Sequence, residues 1–252
     1  MSGQPFDLSG RVALVTGASR GLGAAMARAL AAAGADVALH ASRSEASDTA
    51  KAIGGRVRTL PVVADLRSRA DGDRLIADVI ARLGTIDILV NNAGIIRRTD
   101  AEHHSDEDWD DVIEIDLTSV FRLCRAAGHH MLRQGRGKII NVTSLLAFQG
   151  GIRVPAYAAA KGGLAQLTKA LANEWAGRGV NVNAIAPGYM RTDNTQALFD
   201  DPARNQQIAS RIPAGRWGTP DDLGGACVFL AAPASDYVHG HVLVVDGGWM
   251  GR

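Results

Sequence analysis

Three observations predict an α/β protein built on a doubly wound parallel sheet of seven strands, with helices on both faces. Short apolar runs alternate with longer helical patterns along the whole chain. Most of those runs are continuous, as in Val12-Ala-Leu-Val15 and Ile86-Asp-Ile-Leu-Val90, which suits strands covered on both sides. The 252 residues, 46% of them hydrophobic, are also enough to bury a large core. Strict β–α alternation requires crossovers, and crossovers between parallel strands are right-handed.

Strands are predicted at Arg11–Thr16, Asp36–Ala41, Val57–Val63, Ile86–Asn91, Lys138–Thr143, Asn181–Ala186 and His241–Asp246. Helical patterns cover Leu22–Ala33, Arg69–Leu83, Ser105–Arg133, Ala156–Gly177 and Asp221–Ala231. Ser105 followed by Asp108 resembles a capping box, and the acids from Asp106 to Asp111 suit the positive end of a helix dipole. Pro155 and Pro220 stand where helices should start, Gly34 and Gly84 where they should stop. No linker, repeat or low-complexity segment interrupts the series, so residues 1–252 read as a single domain. Ligands are then expected beyond the carboxyl ends of the strands, at the switch in strand order.

Lys+Arg number 27 against Asp+Glu 26, a net charge of +1 that gives no footprint for nucleic acid or an anionic membrane. No apolar run of about 18 residues is present, so no membrane span is expected. The N-terminus lacks a basic start followed by an apolar stretch, and no signal peptide is expected. Cys124 and Cys227 are far apart, which argues against a disulfide framework or zinc site and points to the cytoplasm. The histidine pairs His103/His104, His129/His130 and His239/His241 do not make a ligand set either, so no metal is expected.

The first strand runs into Thr16-Gly17-Ala18-Ser19-Arg20-Gly21-Leu22-Gly23 and then an Ala-rich helix. Glycines let the backbone turn sharply and let a pyrophosphate approach the helix N-terminus, where free N–H groups favour anions. A tight βα turn is the alternative, and the strand–loop–helix context favours dinucleotide binding. The second strand ends His40-Ala41-Ser42-Arg43 with no carboxylate for a ribose 2′-hydroxyl. Arg20, Ser42 and Arg43 instead suit a 2′-phosphate, which favours NADP, with NAD as the alternative.

Tyr157-Ala-Ala-Ala-Lys161 places a phenol and an ammonium on one helix face. With three tyrosines and four lysines, this spacing is expected by chance about 0.05 times in the chain. A nearby cation favours the phenolate and tunes the phenol for proton transfer to or from a carbonyl oxygen. Ser144, at the end of the fifth predicted strand, could hydrogen-bond the same oxygen.

Together with Asp65-Leu66, Asn91-Asn92-Ala93-Gly94 and Pro187-Gly188 with Thr192, these motifs resemble the short-chain dehydrogenase/reductase family along essentially the whole chain. The resemblance implies a Rossmann fold, hydride transfer to or from a nicotinamide and a homotetramer. It implies Tyr157 as general acid/base, Ser144 as the group holding the substrate oxygen, and Lys161 on the nicotinamide ribose and lowering the Tyr157 pKa. It implies cofactor binding by Gly17, Ser19, Arg20, Gly21, Leu22, Gly23, Leu66, Ala93 and Gly94, with Asp65 near adenine and Asn91 near the adenosine ribose. Thr192 falls at the carboxamide, alongside the backbone of Ile185–Gly188 with Pro187. One position departs from the family: Asp116 stands where asparagine is usual, at a helix kink in the proton relay. An acid there would draw on Lys161 and raise the Tyr157 pKa, or simply pair with Lys161 and be tolerated; activity retained but shifted in pH is the expectation.

The stretches after the fifth and sixth strands, the second of them a substrate-loop region at about 188–217, resemble a branch acting on hexonate sugar acids. Those are of the 2-dehydro-3-deoxygluconate, 2-deoxygluconate or gluconate type. A sugar acid needs a cation for its carboxylate and hydrogen bonds for its hydroxyls. Arg153, one turn before Tyr157, is the first candidate; Gln149 and Arg98 are the others. A 3-oxoacyl thioester reductase shares the same catalytic residues and would need an apolar acyl channel instead. A non-catalytic dinucleotide-binding sensor would keep the glycine loop; only Asp116 favours it.

Overall fold

The computed structural model describes residues 4–43 and 46–252. Seven parallel strands form one sheet: β1 (Val12–Val15), β2 (Asp36–Ala41), β3 (Thr59–Val63), β4 (Ile88–Asn91), β5 (Gly137–Val142), β6 (Val180–Pro187) and β7 (Val242–Val245). Their order, β3-β2-β1-β4-β5-β6-β7, switches direction between β1 and β4. The predicted doubly wound sheet is therefore present, each strand within two residues of its expected bounds.

The helices are α1 (Gly21–Ala32), α2 (Ser47–Ile53), α3 (Arg69–Leu83), α4 (Asp106–Ile113), α5 (Ser119–Gln134), α6 (Pro155–Trp175), α7 (Gln196–Asp200), α8 (Pro202–Arg211) and α9 (Gly224–Ala231). They cover both faces. On one, Leu75, Val79, Leu123, Met131, Leu164 and Trp175 from α3, α5 and α6 pack on Leu14, Leu89 and Val182. On the other, Met26, Leu30, Cys227 and Leu230 from α1 and α9 pack on Val15, Leu39, Val90 and Ile140. Burying both faces explains the continuous apolar strands, since no position on β1, β4 or β6 meets solvent. Pro61, which has no N–H to donate, sits in β3 at the sheet edge, where its missing donor is harmless.

Three helical expectations need correction. The pattern Ser105–Arg133 is two helices, α4 and α5, joined by a π-helical turn at Glu114–Thr118. The Ser119 hydroxyl donates to the Ile115 carbonyl (2.7 Å), occupying an acceptor within that wider turn. The Ser105 hydroxyl does cap α4 by accepting the Asp108 N–H. Asp221–Ala231 begins as a 3-10 turn, Pro220–Leu223, before α9. The stretch read as a loop at 188–217 contains α7 and α8. Asp201 caps α8 through the Ala203 and Arg204 amides ahead of Pro202, a signal that was present in the sequence. Among the described residues, no helix is long and apolar enough to cross a membrane.

Candidate active site

A cavity of about 1160 Å³ opens across the carboxyl ends of β1, β2, β4, β5 and β6, over the switch between β1 and β4. Crossovers bring the loop after each of these strands to one edge of the sheet. The residues predicted from four separate motifs therefore converge there.

The glycine loop forms one wall. Gly17 and Gly21 have φ of 65° and 55°, a region that favours glycine. A Cβ on Gly23 would lie 2.2 Å from the Gly17 carbonyl oxygen and 2.5 Å from Asn92 Nδ2, so only glycine lets α1 start this close to β1. Asn92 donates to the Thr16 and Gly17 carbonyls, and the Thr16 hydroxyl accepts the Asn92 and Ala93 amides. The loop is thus fastened to the turn after β4. The first amides of α1 lack intrahelical partners and the first turn carries no acid, so Ser19, Gly21 and Leu22 present a cradle that fits a pyrophosphate.

At the far end, Ser42, Asp65 and Leu66 line the cavity, whereas Arg43 is exposed beside it. Asp65 is held by Arg67 (2.8 Å), whose hydrogen bonds keep the carboxyl below its ordinary range despite opposing burial. Arg20 reaches away from Ser42 to pair with Asp193 at 2.9 Å, both side chains largely exposed. Asn91 does not face the cavity with its side chain. It is buried and donates to Asn141 Oδ1 (2.9 Å) and Cys124 Sγ (3.3 Å), so only its backbone is available on the ligand side. Ala93, Gly94, Pro187, Gly188 and Thr192 line the opposite wall.

Ser144 follows β5, and Tyr157 and Lys161 project from the first two turns of α6 towards it. Val154 and Pro155 start α6 without a side-chain cap, Pro155 supplying the fixed φ of a first helical residue. Lys161 is 4% exposed, with Nζ 5.3 Å from the Tyr157 ring centre and donating to the Val142 carbonyl (3.1 Å). Asp116, fully buried at the π-helical turn, accepts the Ile95 N–H on Oδ1 (2.8 Å) and places Oδ2 3.1 Å from Lys161 Nζ. A Cβ on Gly94 would lie 2.9 Å from that Oδ2, so Gly94 makes room for the carboxylate.

Burial raises the Asp116 carboxyl, with Lys161 and the Ile95 amide opposing. Burial alone would lower the Lys161 ammonium, but Asp116 and Tyr157 outweigh it and hold the lysine charged. Tyr157 is raised by burial first; Asp116 adds to the shift, while Lys161, Ser144 and Arg98 oppose it.

The substrate side is framed by Arg98, Gln149 and Arg153 on one rim and Arg204, Gln207, Arg211 and Trp249 on the other. Arg153 has a φ of 66° and pairs with Asp100 at 3.2 Å, so the first candidate for the carboxylate is already engaged. Arg98 has no ion pair among the described residues and acts on the charge of Tyr157. Arg211 stacks 4.0 Å over Trp249, which itself packs against Tyr189. Sequence reasoning missed this second rim, because helix α8 was not recognised. It also missed His40, a buried polar residue in an otherwise apolar strand, which could have been flagged on that ground. Cys124 and Cys227 are buried and burial pushes both thiols up to about 12, as suits small apolar side chains.

A model of the family described as Enoyl-(Acyl carrier protein) reductase matches residues 17–250. With the fold and the Ser144–Tyr157–Lys161 site, this shows that the chain belongs to the short-chain dehydrogenase/reductase family of oxidoreductases. It is 52% identical over 251 residues to 2-dehydro-3-deoxy-D-gluconate 5-dehydrogenase of Escherichia coli K12, covering 98% of each chain. It is 50% identical to a putative 2-deoxy-D-gluconate 3-dehydrogenase of Agrobacterium tumefaciens solved with NADP, with a TM-score of 0.92 over 99% of this chain and 100% of that one. A gluconate 5-dehydrogenase of Burkholderia cenocepacia, solved with NADP and tartrate, is 39% identical with a TM-score of 0.92 over 98% of both chains.

Proposed function

We propose that this protein is an NADP-dependent oxidoreductase interconverting a secondary alcohol and a ketone on a hexonate, of the 2-dehydro-3-deoxygluconate, 2-deoxygluconate or gluconate type. One observation carries the reading: Tyr157 lies beside the buried Lys161 in a cavity whose lining includes the cationic and amide side chains of Arg98, Gln149 and Arg211, groups suited to a carboxylate and hydroxyls. The names of the relatives support it, and so do the NADP bound in three solved relatives and the tartrate, a hydroxy acid, bound in one of these.

Bound along Gly17–Gly23, Asp65, Leu66 and Gly188, the nicotinamide cofactor supplies or accepts the hydride. The chain's own part is proton handling and orientation. In the oxidising direction the Tyr157 phenolate takes the hydroxyl proton while the Ser144 hydroxyl hydrogen-bonds the same oxygen. Lys161 stabilises the phenolate across 5.3 Å, and Asp116 keeps Lys161 charged. In reduction the Tyr157 hydroxyl donates. Arg98 takes the substrate carboxylate, with Gln149 on a hydroxyl and Arg153 tied to Asp100. Ser42 and Arg43 sit where a 2′-phosphate would be read.

A homotetramer is supported by the exposed Trp109 and Phe121 on α4 and α5 and by the half-exposed edge strand β7. One sheet running from β1 to β7 supports a single domain, and two free, buried cysteines support the cytoplasm. The carboxylate assignment is tested by comparing kcat/KM for a keto-hexonate with that for its neutral amide. A loss of tenfold or more is expected, and equal values would refute it.

A further inference from the structure

His40 ends β2 directly beneath the glycine loop, buried to 1% exposure. Both of its ring nitrogens are engaged. Nδ1 stands 3.3 Å from the Gly17 amide, and Nε2 stands 3.0 Å from the Ala64 carbonyl. An amide can only donate and a carbonyl only accept, so Nδ1 is the acceptor and Nε2 carries the proton. The ring is therefore neutral and in one tautomer. The His40 backbone adds a third tie, its carbonyl accepting the Ala18 N–H at 2.8 Å.

Those contacts join two segments that meet the dinucleotide from opposite sides. Gly17 opens the pyrophosphate cradle in a left-handed conformation, φ 65°, and its own carbonyl is already committed to Asn92. Ala64 precedes Asp65 and Leu66 at the adenosine end. We propose that His40 is a positioning residue for cofactor binding: its neutral ring clamps Gly17 to the segment after β3, and its protonation releases the clamp and weakens dinucleotide binding in acid. A second proton would sit on Nδ1 and face the Gly17 N–H, donor against donor. Burial, the largest influence on the ring, favours the neutral form and is only partly opposed by the Ala64 carbonyl.

The charged groups on surrounding elements do not alter this. On the glycine loop Arg20 pairs with Asp193; on α2 Lys51 pairs with Asp48; after β3 Asp65 pairs with Arg67 and Asp71 with Arg74. Arg43 beyond β2 acts on Asp65, and Glu45 lies outside the described residues. No charged side chain among the described residues hydrogen-bonds the ring.

The inference rests on dinucleotide binding at this loop but not on the identity of the substrate. Its test is the dissociation constant of NADPH, by calorimetry or nicotinamide fluorescence, across pH 8 to 5 for the parent, His40→Asn and His40→Leu. Asparagine keeps an acceptor for Gly17 near the Nδ1 position and does not titrate. Near neutral pH both variants should bind more weakly than the parent: His40→Leu, which keeps neither tie, by about tenfold, and His40→Asn, which keeps the Gly17 tie but not the Ala64 one, by less than that. Below the protonation point the ratio of the parent constant to that of His40→Asn should rise by up to about tenfold per pH unit, as uptake of one proton requires. Comparing the two proteins cancels the titration of the cofactor's own phosphate. Ring-nitrogen NMR of the cofactor-free protein, with His40→Asn as the assignment control, should show the Nε2-protonated tautomer. A parent-to-Asn ratio flat with pH, or an Nδ1-protonated ring, would overturn the proposal. Failure of either protein to bind NADPH at all would instead overturn the reading of the loop.

Discussion

Replacing Asp116 by asparagine isolates the effect of the buried carboxylate beside Lys161. The substitution keeps an oxygen for the Ile95 N–H and removes the charge 3.1 Å from Lys161. At 5.3 Å from the Tyr157 ring, the lysine charge favours the phenolate by about 3 kcal/mol at an effective dielectric of about 20. With the two distances laid end to end, Asp116 Oδ2 is at most about 8.4 Å from the ring and opposes the lysine by about 2 kcal/mol. At about 1.4 kcal/mol per tenfold, neutralising Asp116 should move the acid limb of kcat/KM for oxidation about 1.4 pH units towards acid. The sign follows from the role of the phenolate. Oxidation needs the deprotonated tyrosine, and removing a neighbouring anion makes deprotonation easier. The assay is kcat/KM against pH for parent and Asp116→Asn with a hexonate and NADP, checked by a thermal melt for folding. On the limb the variant should be about 25-fold faster at a given pH. Superimposable profiles, or a limb moved towards alkali, would refute the reasoning.

Arg98→Met should raise KM for a hexonate at least tenfold, as loss of a charge-assisted pair requires, whereas Arg153→Met should change it by less than about threefold because Asp100 already holds that side chain; steady-state kinetics decides, and the reverse order would restore Arg153 as the carboxylate ligand. Tyr157→Phe should lower kcat by about a hundredfold or more while leaving NADPH affinity within about threefold, measured by turnover and calorimetry. Gly94→Ala should cost about 1–3 kcal/mol of stability, read from denaturant unfolding, because its Cβ would meet the Asp116 carboxylate at 2.9 Å. Arg43→Ala should weaken NADP at least tenfold and leave NAD unchanged if the 2′-phosphate is read beyond β2.

The parts of the site carried by backbone motifs were legible in the sequence. The glycines at 17 and 21 follow from positive φ and that at 23 from lack of room for a Cβ, and Tyr157 and Lys161 share a face because of helical periodicity alone. Side-chain pairing was not legible. The Arg153–Asp100 ion pair and the Asn91–Asn141 hydrogen bond could not be read from the chain. These partners lie 53 and 50 residues away, and only the fold brings them together. The break between α4 and α5 had no glycine or proline to announce it, since a π-helical turn changes hydrogen bonding without a special residue. Helix α8 was announced, by Asp201 before Pro202, and was overlooked.

The most direct test of the account is turnover itself: kcat/KM for a panel of keto-hexonates and 3-oxoacyl thioesters, each with NADPH and NADH, followed through the absorbance of the reduced nicotinamide. The account predicts that a keto-hexonate with NADPH gives the highest value in the panel. Preference for an acyl thioester, or binding of NADPH without turnover of any member, would contradict it.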